Sequence, residues 1–349
     1  MAFNPSSVSS VMVRATNWLG DAVMSLPAVR VIRQVFSHAQ LTVVARPGVA
    51  ELYGRETGID RVIEYRAKGL GEKREFAHGL RKERFDCAIL LQNAFDAALM
   101  AWMADIPERI GYRRDGRGVL LTRAIGVPEP GEIPRHERFY YLELLRRAGL
   151  MEHFPPTEPI RLDGIPAARE AGMRRLAELG IHGPAIGISP GAAYGNAKRW
   201  LPERFAETAR RLAGSVLVFG SGGERELCGQ VAAGVGGRNL AGETTLGEFI
   251  DLAAACRLFL TNDSGAMHVA SALGVPTVAV FGATDDTTTG PTGPLARVIR
   301  EHAECSPCLR RECPIDHRCM TGVTVDRVAA AALQLWEESA SAWTQEASS

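Results

Sequence analysis

Three short strings in this 349-residue chain place glycine, acid and base where an apolar run gives way to a polar turn. The first is Asn17-Trp18-Leu19-Gly20-Asp21-Ala22-Val23-Met24-Ser25. Gly20 permits a tight turn, and Asp21 falls where a helix begins. Two readings fit Asp21. It is an N-cap, which aspartate does well and which spacing alone favours, or a carboxylate able to take a proton from a substrate hydroxyl. The second string is Ser189-Pro190-Gly191-Ala192-Ala193-Tyr194-Gly195-Asn196-Ala197-Lys198-Arg199-Trp200. Gly191 and Gly195 let backbone N–H groups approach an anion, and Lys198 and Arg199 add positive charge, a combination that suits a diphosphate. The spacing is not that of a Walker loop; the bland alternative is a solvated basic loop with Trp200 in the core. The third is Thr261-Asn262-Asp263-Ser264-Gly265-Ala266-Met267-His268. A helix opening at Ser264 and Gly265 offers free N–H groups and a positive dipole end to an anion. Asp263 would repel a phosphate, so it orients the loop or a ribose. His268, one turn in, is a donor-site candidate or a satisfied core histidine.

Two further segments carry polar chemistry. Gly220-Ser221-Gly222-Gly223-Glu224 allows a nucleotide to come close, with Glu224 as a partner for ribose hydroxyls or simply a first-turn glutamate. Cys305, Cys308, Cys313 and Cys319, with His317 among them, form C-x2-C-x4-C-x5-C. That spacing is compatible with a structural metal, with a reduced loop-stabilising cluster, or with disulfides.

These strings need elements to position them. Val8–Ala15 reads as a strand, 21–36 as a helix interrupted by Pro27, 41–45 as a strand, and strand and helix alternate to residue 104. Residues 107–138 hold seven arginines and read as loop and short segments, followed by a helix over 139–150. Four prolines in 152–166 mark a joint. Alternation resumes at 185–189 and runs to a last helix over 325–336. The expectation is an α/β chain of two doubly wound domains, 1–160 and 161–349, facing a central cleft, with the last helix free to pack back on the first domain. The three strings then fall at equivalent strand-to-helix junctions.

Composition narrows the classes. Apolar residues make up 46% and charged residues 23%, as in soluble globular domains. The apolar runs are too short for a membrane-spanning helix, and residues 1–10 lack a secretory pattern, so the expected location is cytoplasmic. Net charge is zero, which argues against general nucleic-acid binding. Residues 1–150 carry 22 Lys/Arg against 17 Asp/Glu, and the remainder 18 against 23. A basic first half suits an acidic substrate or an anionic membrane surface, or is ordinary fluctuation.

The strings N-W-L-G-D-A-V-M-S, S-P-G-A-A-Y-G-N-A-K-R-W and N-D-S-G-A-M-H-V-A-S-A-L-G-V-P-T-V-A-V-F-G together resemble the ADP-heptose:lipopolysaccharide heptosyltransferases, with W-x-G-D-x-V-M-S and P-G-A-x-[YF]-G-x-A-K-R-W in the pattern of the type II branch. The resemblance runs from about Val11 to the last helix. It implies a GT-B fold, an inverting transfer without a metal or other cofactor, and an ADP-heptose donor on the second domain. The implied acceptor is the heptosylated Kdo-lipid A inner core, met at the inner membrane's cytoplasmic face. Asp21 becomes the general base and Lys198 the group neutralising the diphosphate. Gly191, Arg199, Glu224, Asp263, Ser264, Gly265 and His268 complete the donor site, and Asn17, Trp18, Arg113 and Arg114 meet the acceptor. Arg109 and Arg117 join that basic face. Alternatives are a type I or III enzyme, another nucleotide-sugar transferase, a sugar-nucleotide epimerase, or a non-catalytic binding protein.

Overall fold

The computed structural model describes residues 4–339 and divides into two compact units between Thr157 and Glu158. In the first, β1 (Ser10–Arg14), α1 (Leu19–Val35), β2 (Gln40–Ala45), α2 (Pro47–Tyr53), β3 (Arg61–Glu64), α3 (Leu70–Lys82), β4 (Cys87–Leu90), α4 (Phe95–Met103), β5 (Glu108–Tyr112), β6 (Arg123–Ile125) and α5 (Arg138–Arg147) follow one another. The strands form one sheet in the order β3-β2-β1-β4-β5-β6, parallel throughout. The central strand β1 reads Ser-Val-Met-Val-Arg because helices cover both its faces, so both side-chain rows are buried. Val11 registers with Leu41 on one side and Cys87 on the other.

The second unit repeats the plan. Its elements are α6 (Ile165–Glu178), β7 (Ala185–Ser189), α7 (Pro202–Arg210), β8 (Ser215–Val218), α8 (Arg225–Val235), β9 (Arg238–Asn239), α9 (Leu246–Ala254), β10 (Leu258–Asn262), α10 (Gly265–Ala272), β11 (Thr277–Phe281), α11 (Asp286–Thr289), β12 (Ala296–Arg300), α12 (Arg318–Thr321) and α13 (Val325–Glu338). The sheet order is β12-β11-β10-β7-β8-β9, also parallel. The described part of the last helix, α13, packs on α7, β10, β11 and β12 of this same unit.

The arginine-rich stretch after residue 107 is loop with short segments, as expected; two of those segments are β5 and β6, and Ile110 and Tyr112 of β5 are buried. Two local expectations are corrected. Residues 165–178, read partly as linker, form α6, whose Pro166 sits in the first turn where its missing N–H costs nothing. Strand β12 was missed because Ala-Arg-Val-Ile-Arg lies at the sheet edge and lacks a continuous apolar run.

Each sheet reverses its winding once. In the first unit β1 and β4 are neighbours at that reversal, and in the second β7 and β10. In open α/β sheets, ligands bind beyond the carboxyl ends of the two strands flanking that point.

Candidate active site

In the first unit the reversal places the loops after β1 and β4 side by side. Helix α1 starts two residues earlier than the sequence suggests, at Leu19, and is capped by Trp18 without a side-chain hydrogen bond. Asp21 is therefore the third helical residue, half-buried in the first turn, and not the N-cap. Its charge is favoured there by the helix dipole, and the capping role that competed with the catalytic one is gone. Asn17 and Trp18 are exposed.

Helix α5 packs on α1 and brings Glu137, its N-cap, and Tyr141 into the electrostatic reach of Asp21. Burial first, and the negative charge of Asp21 second, push the Glu137 carboxyl up to about 7, against the pull of Arg114. A glutamate raised in the folded state keeps its proton while the unfolded chain releases one, so stability falls as pH rises from about 4.5 to about 7 and is then flat. Glu137→Gln is expected to remove that slope from the unfolding free energy measured against pH.

Sequence reasoning missed a cationic cluster on this edge. Arg14, 2% exposed, donates to the carbonyl of Ala15 at 2.5 Å and to Asn17 Oδ1 at 3.0 Å. Its guanidinium lies 4.9 Å from the centre of the Tyr65 ring, and that of Arg46 lies 4.5 Å from it. The Tyr65 hydroxyl donates to Asp96 at 2.6 Å, and Lys73 pairs with the same carboxylate at 2.7 Å. Burial pulls Arg14 down to about 10. The signal was present: an arginine ending the apolar string Val-Met-Val is costly unless partnered.

The basic face expected from Arg109, Arg113, Arg114 and Arg117 is half as large as proposed. Arg117 is fully buried, donating to the carbonyls of Tyr112 (2.8 Å) and Gln92 and to Asn93 Oδ1 (3.0 Å). Arg109 is spent on the carbonyls of Leu120 (2.7 Å) and Ile106. Arg113 and Arg114 are exposed just beyond β5, at the carboxyl edge of the sheet.

In the second unit the reversal joins the loop after β7 to the turn after β10. Lys198 Nζ is 2.6 Å from Asp263 Oδ2, with the two side chains only 12% and 5% exposed. Thr284 also donates to Asp263. Lys198 lies 4.9 Å from the centre of the Tyr194 ring. Asp263 therefore holds the lysine in place, consistent with a supporting role. Arg199 lies 3.6 Å from Glu224, and its Nε is buried without a hydrogen-bond partner among the described residues. Glu224 also accepts from the Ser221 N–H (2.9 Å) and hydroxyl (2.8 Å), and it covers Gly191 so closely that a Cβ there would come within 2.1 Å of it. A side chain at position 191 would displace the Glu224 carboxylate.

Ser264 is the N-cap of α10: its oxygen accepts from the Met267 N–H at 3.4 Å and pairs with Thr261 at 3.0 Å. The Ser264 oxygen serves the cap, and the Met267 and His268 N–H groups are bonded to Ser264, which leaves the N–H groups of Gly265 and Ala266 as the helix-end donors. His268 is 5% exposed, in the interior. Trp200 is fully buried, as one reading of its loop expected.

Asn262 was not singled out from sequence, yet it ties the two loops together. Fully buried, it accepts from the Trp200 N–H at 2.9 Å and donates to the Pro190 carbonyl at 2.7 Å. Asn262→Ala leaves both groups unpaired and is expected to cost about 2 kcal/mol in denaturant unfolding, the scale for orphaned buried polar groups.

All four thiols of the 305–319 segment are free, Cys305 exposed and Cys319 buried. Burial and the neighbouring thiols push Cys319 upward. Among the described residues no group of three or more His, Cys, Asp or Glu side chains is arranged to hold a metal ion. No described helix is long and apolar enough to cross a membrane.

A profile of glycosyltransferase family 9 (heptosyltransferase) matches residues 73–318. Lipopolysaccharide heptosyltransferase 2 of Salmonella typhimurium is 34% identical over 306 residues, covering 83% of this chain and 87% of that protein. The chain belongs to glycosyltransferase family 9, the heptosyltransferases. The structure of ADP-heptose LPS heptosyltransferase II from Escherichia coli superposes with a TM-score of 0.81 at 30% identity, covering 94% of this chain and 99% of that one. Lipopolysaccharide heptosyltransferase 1 of Pseudomonas aeruginosa is 26% identical, with 87% of each covered. The expected GT-B-like architecture, with two parallel six-stranded sheets, thus holds for this family 9 glycosyltransferase.

Proposed function

We propose that this heptosyltransferase moves L-glycero-D-manno-heptose from ADP-heptose onto the heptosylated inner core of lipopolysaccharide, inverting the anomeric centre and using no metal for the transfer. The observation that carries this reading is the Lys198 loop: a cation anchored by Asp263, beside the N-terminus of α10, at the winding reversal of the second sheet. That is where a doubly wound sheet binds a nucleotide, and both groups answer a diphosphate. We assign Glu224, at the Gly191 turn, to ribose hydroxyls.

Inversion is one displacement. Asp21 accepts the proton of the acceptor hydroxyl as that oxygen bonds to the anomeric carbon. The bond from that carbon to the phosphate oxygen breaks, and ADP departs with the electron pair. Lys198 and the α10 N–H groups meet the charge as it develops. The type 2 assignment rests on the 34% identity to the Salmonella enzyme. Exposed Arg113 and Arg114 suit acceptor phosphates, Kdo carboxylates or anionic lipid headgroups at the cytoplasmic leaflet.

The test is to incubate the protein with ADP-heptose and heptosylated Kdo-lipid A in EDTA, then determine the acceptor's mass and the configuration of the new linkage. A mass gain of one heptose with an inverted linkage is expected. No gain, or a retained configuration, overturns the reading.

A further inference from the structure

The cationic groups of the second unit do not, as they stand, favour a dianion. Lys198 is paired with Asp263 and Arg199 lies beside Glu224, so four charges cancel. A nucleotide diphosphate ester adds two negative charges to that neutral group. The helix end of α10 offers only a partial positive charge. One more full cation is needed, and the fold presents one from a segment that neither the sequence strings nor the reaction above used.

That segment is the irregular stretch from Cys305 to His317, which lies directly on the Lys198 loop. The Tyr194 hydroxyl donates to the Leu309 carbonyl at 2.8 Å, and the Ala197 N–H to the Arg311 carbonyl at 3.0 Å. Gly195 approaches the same carbonyl so nearly that a Cβ would sit 2.1 Å from it. The backbone of Arg311 is thus fixed at two points of the loop that carries Lys198. Its guanidinium lies 5.4 Å from the centre of the Tyr194 ring, the ring that also faces Lys198 at 4.9 Å. Among the described residues Arg311 has no carboxylate within ion-pair distance, unlike Lys198 and Arg199.

We propose that Arg311 is a donor-binding residue whose guanidinium contacts the diphosphate beside Lys198 and supplies the positive charge that the two ion pairs do not. Tyr194 is its positioning residue: the ring sets both cations on one platform while the hydroxyl secures the loop. The arginine fork can take two phosphate oxygens at once, where lysine acts as a point charge. The inference rests on the transferase reading above.

The test measures binding of ADP and of adenosine to wild type and to Arg311→Gln, Arg311→Lys and Arg310→Gln by calorimetry, with thermal unfolding as a check on folding. Substitution leaves the Arg311 carbonyl, and hence the hydrogen bond from Ala197, in place. Arg311→Gln is expected to weaken ADP about tenfold, the scale of one charge-assisted hydrogen-bonded contact, and to leave adenosine unchanged. Arg311→Lys recovers part of the loss, and Arg310→Gln binds as wild type. If Arg311→Gln binds ADP within twofold of wild type, or loses ADP and adenosine in equal measure, the proposal is wrong while the transferase reading stands. If wild type binds no ADP, both fall.

Discussion

Lys198→Ala is expected to lower turnover by at least about 100-fold, the range for removing a group that meets charge developing on a leaving oxygen. The same substitution strips a buried carboxylate of its cation. Asp263 is 5% exposed and would keep only Thr284 among the partners described above. Removing one member of a buried ion pair costs about 3–5 kcal/mol, because the remaining charge is desolvated and unmatched. The single variant therefore confounds folding with catalysis. Lys198→Ala combined with Asp263→Asn separates them: the double variant is expected to regain most of the lost unfolding free energy and none of the lost turnover. If it recovers activity along with stability, Lys198 is a structural lysine and its chemical role is wrong.

Asp21→Asn has the second large effect, a loss of about 100-fold or more in turnover with the donor's affinity kept within a few-fold. The amide preserves size and a position three residues into α1, but it cannot accept the hydroxyl proton. The helix-dipole part of the loss costs about 0.5 kcal/mol, and thermal unfolding checks that the variant is folded. Kinetics at saturating ADP-heptose check this. A turnover near wild type would return Asp21 to a purely structural place in the first turn.

How much of this was legible beforehand depends on the kind of signal. The loops after β1, β7 and β10 were legible as strand-to-helix junctions, although their residues also had structural readings: Asp21 as an N-cap, Lys198 and Arg199 as a solvated basic loop. Both domains were legible from alternation, since buried parallel strands such as Cys87–Leu90 read as continuous apolar runs. Two of the edge strands were not: β12 and β6 contain arginine and are only partly buried. The fate of each arginine was equally hidden. Arg117 and Arg109 turn inward to backbone carbonyls, whereas Arg113 and Arg114, close by in sequence, stay exposed, and nothing in the local pattern distinguishes them. Asn262 acts through Trp200, 62 residues away, and Glu137 feels Asp21 on α1, distant in sequence, a relation that only the folded chain contains. Ser264 was read at the start of its helix, and its oxygen accepts there as the helix cap.

In the proposed transfer, Asp21 takes the acceptor's proton and Lys198 meets the charge on the departing diphosphate. The most direct measurement is ADP release from ADP-heptose, followed with and without heptosylated Kdo-lipid A. The proposed transfer requires rapid release that depends on the acceptor and disappears in Asp21→Asn. Release at the same rate without acceptor, or none when acceptor is present, would contradict it.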